Sequence, residues 1–442
     1  MLEDAFIIEG GKPLKGQVQL SGAKNAALKI IIAATMLDQE VRLEHVPFIK
    51  DVDELFNLIS DLGGEASRLD NRQVVVDGRG IKKNQVELLY GSKIRTSFMF
   101  FAPLLYKFRT AFIPNPGGCR LGARSIDRVI EAMRRLGLQV EYNSATGYYQ
   151  AQMKSRPSGS YTFTKPSHTA TELLIMLSVF ARGQVTIRNA AQEPEIDDLI
   201  LFFNQSGAKI NRQGNDITIE GVTKLSRQKP FTVMSDRIEA VTYAVLGLAT
   251  KGDVILHPIK ESTIKAFVEK LRQTGAGIEQ QDEVTWRFFY KQPLKSVNIE
   301  TAPHPGFMTD WQPVWAVLMT QASGVSIIHE RIYENRFSYV NELKKLGADI
   351  DFVELPVDNP ANYYHFNYDA QKSYNQVIKV RGPKTLHNGA LKIEDLRAGA
   401  TLAIAALTAQ GESVVNEVSH LERGYEDFVL KVKKLGGVIK KV

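Results

Sequence analysis

The sequence predicts an α/β protein of two domains, each assembled from three copies of one supersecondary unit. The chain has 442 residues, more than a single hydrophobic core ordinarily serves. A glycine-centred tripeptide recurs six times: Leu62-Gly63-Gly64, Leu136-Gly137-Leu138, Ser206-Gly207-Ala208, Thr274-Gly275-Ala276, Leu346-Gly347-Ala348 and Leu435-Gly436-Gly437. Its central glycines stand 74, 70, 68, 72 and 89 residues apart. Apolar helical stretches alternate with short β-branched runs throughout, the pattern of an α/β fold.

Each glycine suits the left-handed turn that ends a helix. The helix before it is amphipathic, with apolar residues at three- and four-residue spacing over 125–136 and 263–274. Further upstream lies an apolar helix, over 26–37, 171–181, 238–249, 315–322 and 398–409. A short strand follows it, as at 183–187, 252–256 and 324–328, and strand-like alternation resumes after the glycine at 208–211 and 348–351. The unit is therefore helix–strand–loop–helix–strand. It is larger than a solenoid repeat, so six copies fit two three-unit domains better than one array. The polar stretch 221–230 reads as the linker. The long last interval reflects an insertion at 355–374, rich in Pro, Asn and Tyr, that reads as a surface excursion.

Composition narrows the class. With 44% apolar and 24% charged residues the chain has the balance of a globular protein, and no apolar run reaches the ~18–20 residues of a membrane span. Met1-Leu2-Glu3-Asp4 lacks the features of a leader peptide, and a single cysteine fits a reducing compartment, so a cytoplasmic protein is expected. The net charge of +6 is dispersed, unlike the basic stripe with aromatics of a nucleic-acid binder, and suits a small anionic substrate. The eight histidines lack ligand spacing, so no metal is expected.

Charged groups recur where each apolar helix opens: Lys24-Asn25, Arg95, 167–171, Asp236-Arg237, Asp310 and 395–397. Such residues are poor core material, and a cleft between two domains would collect them. Free N–H groups at helix starts suit phosphate; for any one aspartate the plain alternative is a helix cap. The loop Pro116-Gly117-Gly118-Cys119-Arg120-Leu121-Gly122-Ala123-Arg124 holds the only cysteine, and its glycines allow closure over a ligand. Arg120 and Arg124 favour a thiolate, whereas a proton donor must keep the thiol, and the sequence leaves both open. Thr301-Ala302-Pro303-His304-Pro305-Gly306-Phe307-Met308-Thr309-Asp310 brings a carboxylate to a helix start. Tyr333-Glu334-Asn335-Arg336-Phe337, Asp395-Leu396-Arg397 and Glu422-Arg423-Gly424-Tyr425-Glu426 supply arginines suited to bidentate grip on carboxylate or phosphate.

These motifs, with Ser21-Gly22-Ala23-Lys24-Asn25-Ala26-Ala27-Leu28 ahead of them, stand in the order found in UDP-N-acetylglucosamine 1-carboxyvinyltransferases. The chain resembles that family over essentially its whole length. The resemblance implies two inside-out α/β domains with a ligand cleft between them: 21–232 as the first, and 1–20 with 233–442 as the second. It implies enolpyruvyl transfer from phosphoenolpyruvate to UDP-N-acetylglucosamine, the first committed step of peptidoglycan synthesis, with no cofactor, metal, nucleic acid, membrane or protein partner. By the same resemblance Cys119 matches the proton donor and Asp310 the general base. Lys24 and Asn25 match contacts to phosphoenolpyruvate; Lys24, Arg124 and Arg423 surround its phosphate, and Arg336 and Arg397 its carboxylate. Arg95, Arg124, Ser125, Ile126, Asp127, Arg128, Lys165, Pro166, Ser167, His168 and Ile332 match positions that hold the UDP-sugar, while Asp236 and Glu239 are supportive. Three positions depart from the family pattern and bear on nucleotide recognition: Ser125 replaces a proline, Arg128 an apolar residue, and His168 a small aliphatic one. The cysteine loop and the Thr-Ala-Pro-His-Pro segment argue against the sister transferase that acts on shikimate 3-phosphate. The retained Lys24, Cys119, Asp310, Arg397 and Arg423 argue against a catalytically silent relative.

Overall fold

The computed structural model describes residues 4–70, 72–117 and 126–442. They form two compact units, residues 4–21 with 235–442, and residues 22–117 with 126–234. Cys119, Arg124 and Ser125 lie outside the described residues.

The third repeat shows the building unit complete. A lead strand, Gly159–Thr162, precedes the helix His168–Ser178. The strand Gln184–Arg188 then runs parallel to the lead strand, with Val185 opposite Gly159. After the helix Pro194–Gln205, the hairpin Lys209–Gln213 and Asp216–Glu220 adds its second strand antiparallel to Gln184–Arg188. The other sheets repeat this order; in the second repeat the lead strand shrinks to one parallel bridge, Gln85 to Phe112. The unit is therefore strand–helix–strand–helix–hairpin, two strands richer than the periodicity predicts. Lead strands of two to five residues are too short to carry a period.

The first helix of each repeat is the core. Every residue of Arg237–Ala249 and of Gln312–Thr320 is buried, and so is Leu396–Thr408 apart from its last residue; these three helices pack on one another. Helices apolar on all sides have no solvent face to offer and sit inside. The second helices bury one stripe only, as in Lys50–Leu62, where Val52, Leu55, Phe56, Leu58, Ile59 and Leu62 face inward. The inner helices begin at Lys24, His168, Arg237, Gln312 and Leu396, one to three residues earlier than the apolar pattern indicates. Their first turns are polar, so hydrophobic periodicity misses them.

Among the described residues the chain passes between the units at 21–22 and at 234–235, and both passages follow a lead strand. Lys15–Gln19 pairs in parallel with Asp253–His257, yet the next helix along the chain is Lys24–Ala34 of the other unit. Phe231–Thr232 pairs in parallel with Glu40–Glu44 and is followed by Arg237–Ala249. The first repeats of the two units have thus exchanged lead strands. The stretch 221–230, read from sequence as a linker, packs onto its own unit instead: Val222 N–H donates to the Val179 carbonyl, and Arg227 donates to Ser206 Oγ while lying over the rings of Phe202 and Phe231. The insertion near 355–374 is a surface excursion, as expected, with only Tyr364 and Phe366 buried. It sits inside the hairpin of the fifth repeat and builds its own small core, where Phe366 lies 5.0 Å from Tyr364 and 5.2 Å from Tyr374 between ring centroids.

All six signature glycines have positive φ, from 81° at Gly275 to 96° at Gly63. At Gly207 a Cβ would meet nothing within 4 Å, so the demand there is conformational rather than steric. Gly207→Ala is expected to lower unfolding free energy by about 1–2 kcal/mol in urea titration; an unchanged midpoint would show that the left-handed turn is dispensable.

Candidate active site

In the unit of residues 4–21 and 235–442, the extended segment Thr301 to Asp310 runs into the helix Gln312–Thr320. The N-cap of that helix is Trp311, without a side-chain cap, so Asp310 does not serve as the aspartate cap that is the plain alternative. Its carboxylate accepts a hydrogen bond from Arg336 Nη2, and Arg397 Nε stands 3.6 Å from the same oxygen. Both arginines are 6% exposed. Burial alone would lower their proton affinity, but Asp310 and Glu330 beside Arg336, and Tyr425 and Asp310 beside Arg397, hold both guanidiniums above their ordinary value. Arg336 Nη1 donates to Thr309 Oγ1 at 2.6 Å, while its buried Nε has no protein partner. Arg397 lies over the Tyr425 ring, whose hydroxyl meets Thr242 Oγ1 at 2.9 Å. Arg423 ends the short 3-10 helix Val418–Arg423 and is half-buried.

Two other acids do cap helices. Asp236 Oδ1 accepts from Ile238 and Glu239 N–H, and Asp395 Oδ1 from Arg397 and Ala398 N–H. Those helix starts are thereby filled. Glu239, wholly buried, is paired with Lys431 and accepts the Ser21 N–H at 2.7 Å. Burial pushes its carboxyl up, and Lys431 opposes the shift. Ser21, the last residue before the chain passes to the other unit, is thus bonded at its N–H by Glu239 and at its carbonyl by the Asp236 N–H.

In the unit of residues 22–234 the inner helices Lys24–Ala34 and His168–Ser178 have no side-chain cap. A helix start is the positive end of the helix dipole and suits an anion. Lys24, in the first turn, is held by Asp51 at 2.7 Å, both largely buried. Asn25 is half-buried, and its carbonyl accepts Lys29 Nζ at 2.7 Å. Arg95 opens the 3-10 helix Arg95–Phe100. Ile126 is buried at the N-cap of Asp127–Arg135, where Asp127 is exposed. Arg128 and Lys165 are close enough to repel: burial first, and then Arg128, lowers the proton affinity of Lys165. Pro166, Ser167 and His168 follow, all half-buried, at the helix start. Ile332, on the other unit, sits in a turn whose N–H bonds Glu330.

Sequence reasoning misses three acids that hold the candidate cations: Asp51, Glu172 and Glu330. None of the three carries a local sequence signal, since each is defined by what surrounds it in space. Glu172 is fully buried with Lys29 Nζ 3.2 Å away and His168 Nε2 3.2 Å away, both ion-pair contacts not aligned as hydrogen bonds.

A family model described as EPSP synthase (3-phosphoshikimate 1-carboxyvinyltransferase) matches residues 8–432. The enolpyruvyl transferase NikO from Streptomyces tendae superposes with a TM-score of 0.85 at 22% identity, covering 100% of this chain and 99% of that one. EPSP synthase from Acinetobacter baumannii gives 0.74 at 17% identity over 99% of this chain and 100% of that one. These define the class, an enolpyruvyl transferase fold. Curated relatives include the UDP-N-acetylglucosamine 1-carboxyvinyltransferases of Desulforapulum autotrophicum, 37% identical over 99% of this chain and 100% of the relative, and of Desulfatibacillum aliphaticivorans, 35% identical with the same coverage. The chain belongs to the UDP-N-acetylglucosamine 1-carboxyvinyltransferase family. Among the described residues no helix is long and apolar enough to cross a membrane.

The contact between His168 and Glu172 has a pH signature. Burial alone disfavours the imidazolium, but Glu172 and Glu193 more than offset this against the charge of Lys29, so the folded-state pKa is raised. The stabilisation is then fully present below the ordinary value near 6.5 and is lost as pH rises through the folded-state pKa. The difference in urea midpoint between wild type and His168→Val should therefore be larger at pH 6 than at pH 9. An equal difference at both would mean that His168 is not charged against Glu172.

Proposed function

We propose that this chain transfers the enolpyruvyl group of phosphoenolpyruvate to the 3′-hydroxyl of UDP-N-acetylglucosamine, releasing phosphate, as the first committed step of peptidoglycan synthesis. The observation that carries the reading is Asp310 shared by two buried arginines, in a chain of which 99% aligns with its curated relatives. Its single cysteine favours a cytoplasmic setting.

The reaction is addition and then elimination. The hydroxyl oxygen adds to C2 of the donor while C3 gains a proton; the tetrahedral intermediate then loses a C3 proton and phosphate. In this reading Arg336 and Arg397 take the donor carboxylate in forked hydrogen bonds, and Lys24, Arg124 and Arg423 take the phosphate, with Asn25 beside it. Cys119 supplies the proton to C3. Arg95, residues 124–128, residues 165–168 and Ile332 hold the UDP-sugar.

Asp310 then has two successive partners. The donor carboxylate carries the same charge and competes for the same guanidiniums. Once it takes them, Asp310 is the displaced group and can accept the proton of the attacking hydroxyl. The arginines keep their places through the exchange, because Thr309 and Glu330 still attend Arg336 and Tyr425 still attends Arg397. Such fixed cations stabilise charge as it develops without reorganising.

Incubation with both substrates should give a UDP-sugar whose proton NMR spectrum carries two vinyl signals. Asp310→Asn should still fold cooperatively, with a lowered unfolding midpoint because two buried guanidiniums lose their counter-charge, and below that midpoint should lower kcat roughly 10²- to 10⁴-fold, the range of general acid–base catalysis. Near-wild-type turnover in that variant would remove Asp310 from the chemistry.

A further inference from the structure

Glu330 is a fully buried acid that joins the Thr301–Asp310 segment to the Ile332–Tyr333 turn. It follows the strand Gly324–His329 and is 0% exposed. Oε1 accepts from the N–H groups of Ile332 at 2.7 Å and Tyr333 at 3.1 Å, and from Thr301 Oγ1 at 3.1 Å. Oε2 accepts from Thr309 Oγ1 at 2.8 Å. The direction of both hydroxyl bonds is fixed by what else reaches those oxygens. Thr309 Oγ1 already accepts Arg336 Nη1, and Thr301 Oγ1 already accepts the Arg331 N–H at 2.8 Å, so each hydroxyl hydrogen is left for the carboxylate. Four donors converge on one side chain and none is returned, a demand that only an ionised carboxylate meets in full.

The rest of the turn is braced independently. Gln376 Nε2 donates to the carbonyls of Glu330 and Tyr333, and its Oε1 accepts the Asn335 N–H, all within 3.0 Å. The backbone would thus keep its path when the carboxylate is altered, and what Glu330 adds is a link from the turn to Thr309, Arg336 and Asp310.

We propose that Glu330 is a positioning residue of the transfer reaction, setting Arg336 and the Asp310 segment through Thr309 on one oxygen and the Ile332 turn on the other. The proposal rests on the functional reading above, since it takes Arg336 as a donor contact and Ile332 as an acceptor contact. Glu330 itself reaches neither substrate. Its two oxygens divide the two tasks, and that division makes the role testable.

In Glu330→Gln the amide oxygen can remain with Ile332, Tyr333 and Thr301, while the amide nitrogen faces Thr309 and reverses that bond. Affinity for UDP-N-acetylglucosamine, read by calorimetry without the donor, should stay within about twofold of wild type. The KM for phosphoenolpyruvate should rise roughly tenfold, the scale of a lost hydrogen bond to a charged group. Thr309→Val should reproduce the donor defect, and the double variant should be no worse than the more impaired single one. Wild-type donor kinetics in Glu330→Gln, or an equal loss for both substrates that follows a lowered unfolding midpoint, would overturn the proposal alone. A folded wild type that turns over neither substrate would reject the functional reading, and this role with it.

Discussion

The structure depends on one constraint: each unit closes around helices that are buried on every side. Such a helix has no solvent face, so a charged side chain along it must bring its own counter-charge or not be there at all. Where charges do occur in these helices the rule holds. Lys29 and Glu172 face each other across two inner helices, and Glu239 is matched by Lys431. Charges gather in the first turn, where backbone N–H groups lack intrahelical acceptors and must be met by a cap such as Asp236 or Asp395, or by a ligand. Lys24, His168, Arg237 and Arg397 all sit in that first turn. The same burial that stabilises the fold thus sorts its chemistry to the helix openings.

Electrostatics then decides how those openings are kept ready. Removing one partner from a buried ion pair costs about 3–5 kcal/mol, because the charge left behind is uncompensated. Three of the described candidate cations are accordingly held by acids: Lys24 by Asp51, Arg336 by Asp310, with Arg397 near the same oxygen. An incoming anion that displaces one of these carboxylates exchanges like for like, so binding need not start from a bare buried charge. Arg336 fits this role best, with one guanidinium nitrogen on Thr309, another on Asp310 and the third without a protein partner.

Much of the architecture was legible because it rests on local rules. A left-handed turn demands glycine, so six glycines of positive φ mark six repeats at sight. All-apolar stretches mark the inner helices. The lead strands were not legible, since two to five residues carry no period and pairing partners lie hundreds of positions away, as Lys15–Gln19 does from Asp253–His257, and the passage of the N-terminal residues to the second domain came from the family resemblance alone. The residues 221–230 misled for a related reason: polar composition suggested a linker, but Arg227 satisfies its donors within the fold and lays its guanidinium on two phenyl rings. Of the candidate site, the arginines and Asp310 stood in recognisable motifs. Glu330, Asp51 and Glu172 did not, because a supporting acid is defined by what surrounds it in space. Glutamate at position 330 differs from any surface glutamate only in the four donors that converge on it.

The central claim is the identity of the acceptor, and the fold alone does not distinguish transferases of this class. The direct measurement is phosphate release from phosphoenolpyruvate with UDP-N-acetylglucosamine and with shikimate 3-phosphate as parallel acceptors. The account predicts release with the UDP-sugar and none above background with shikimate 3-phosphate. Release with shikimate 3-phosphate alone would contradict it.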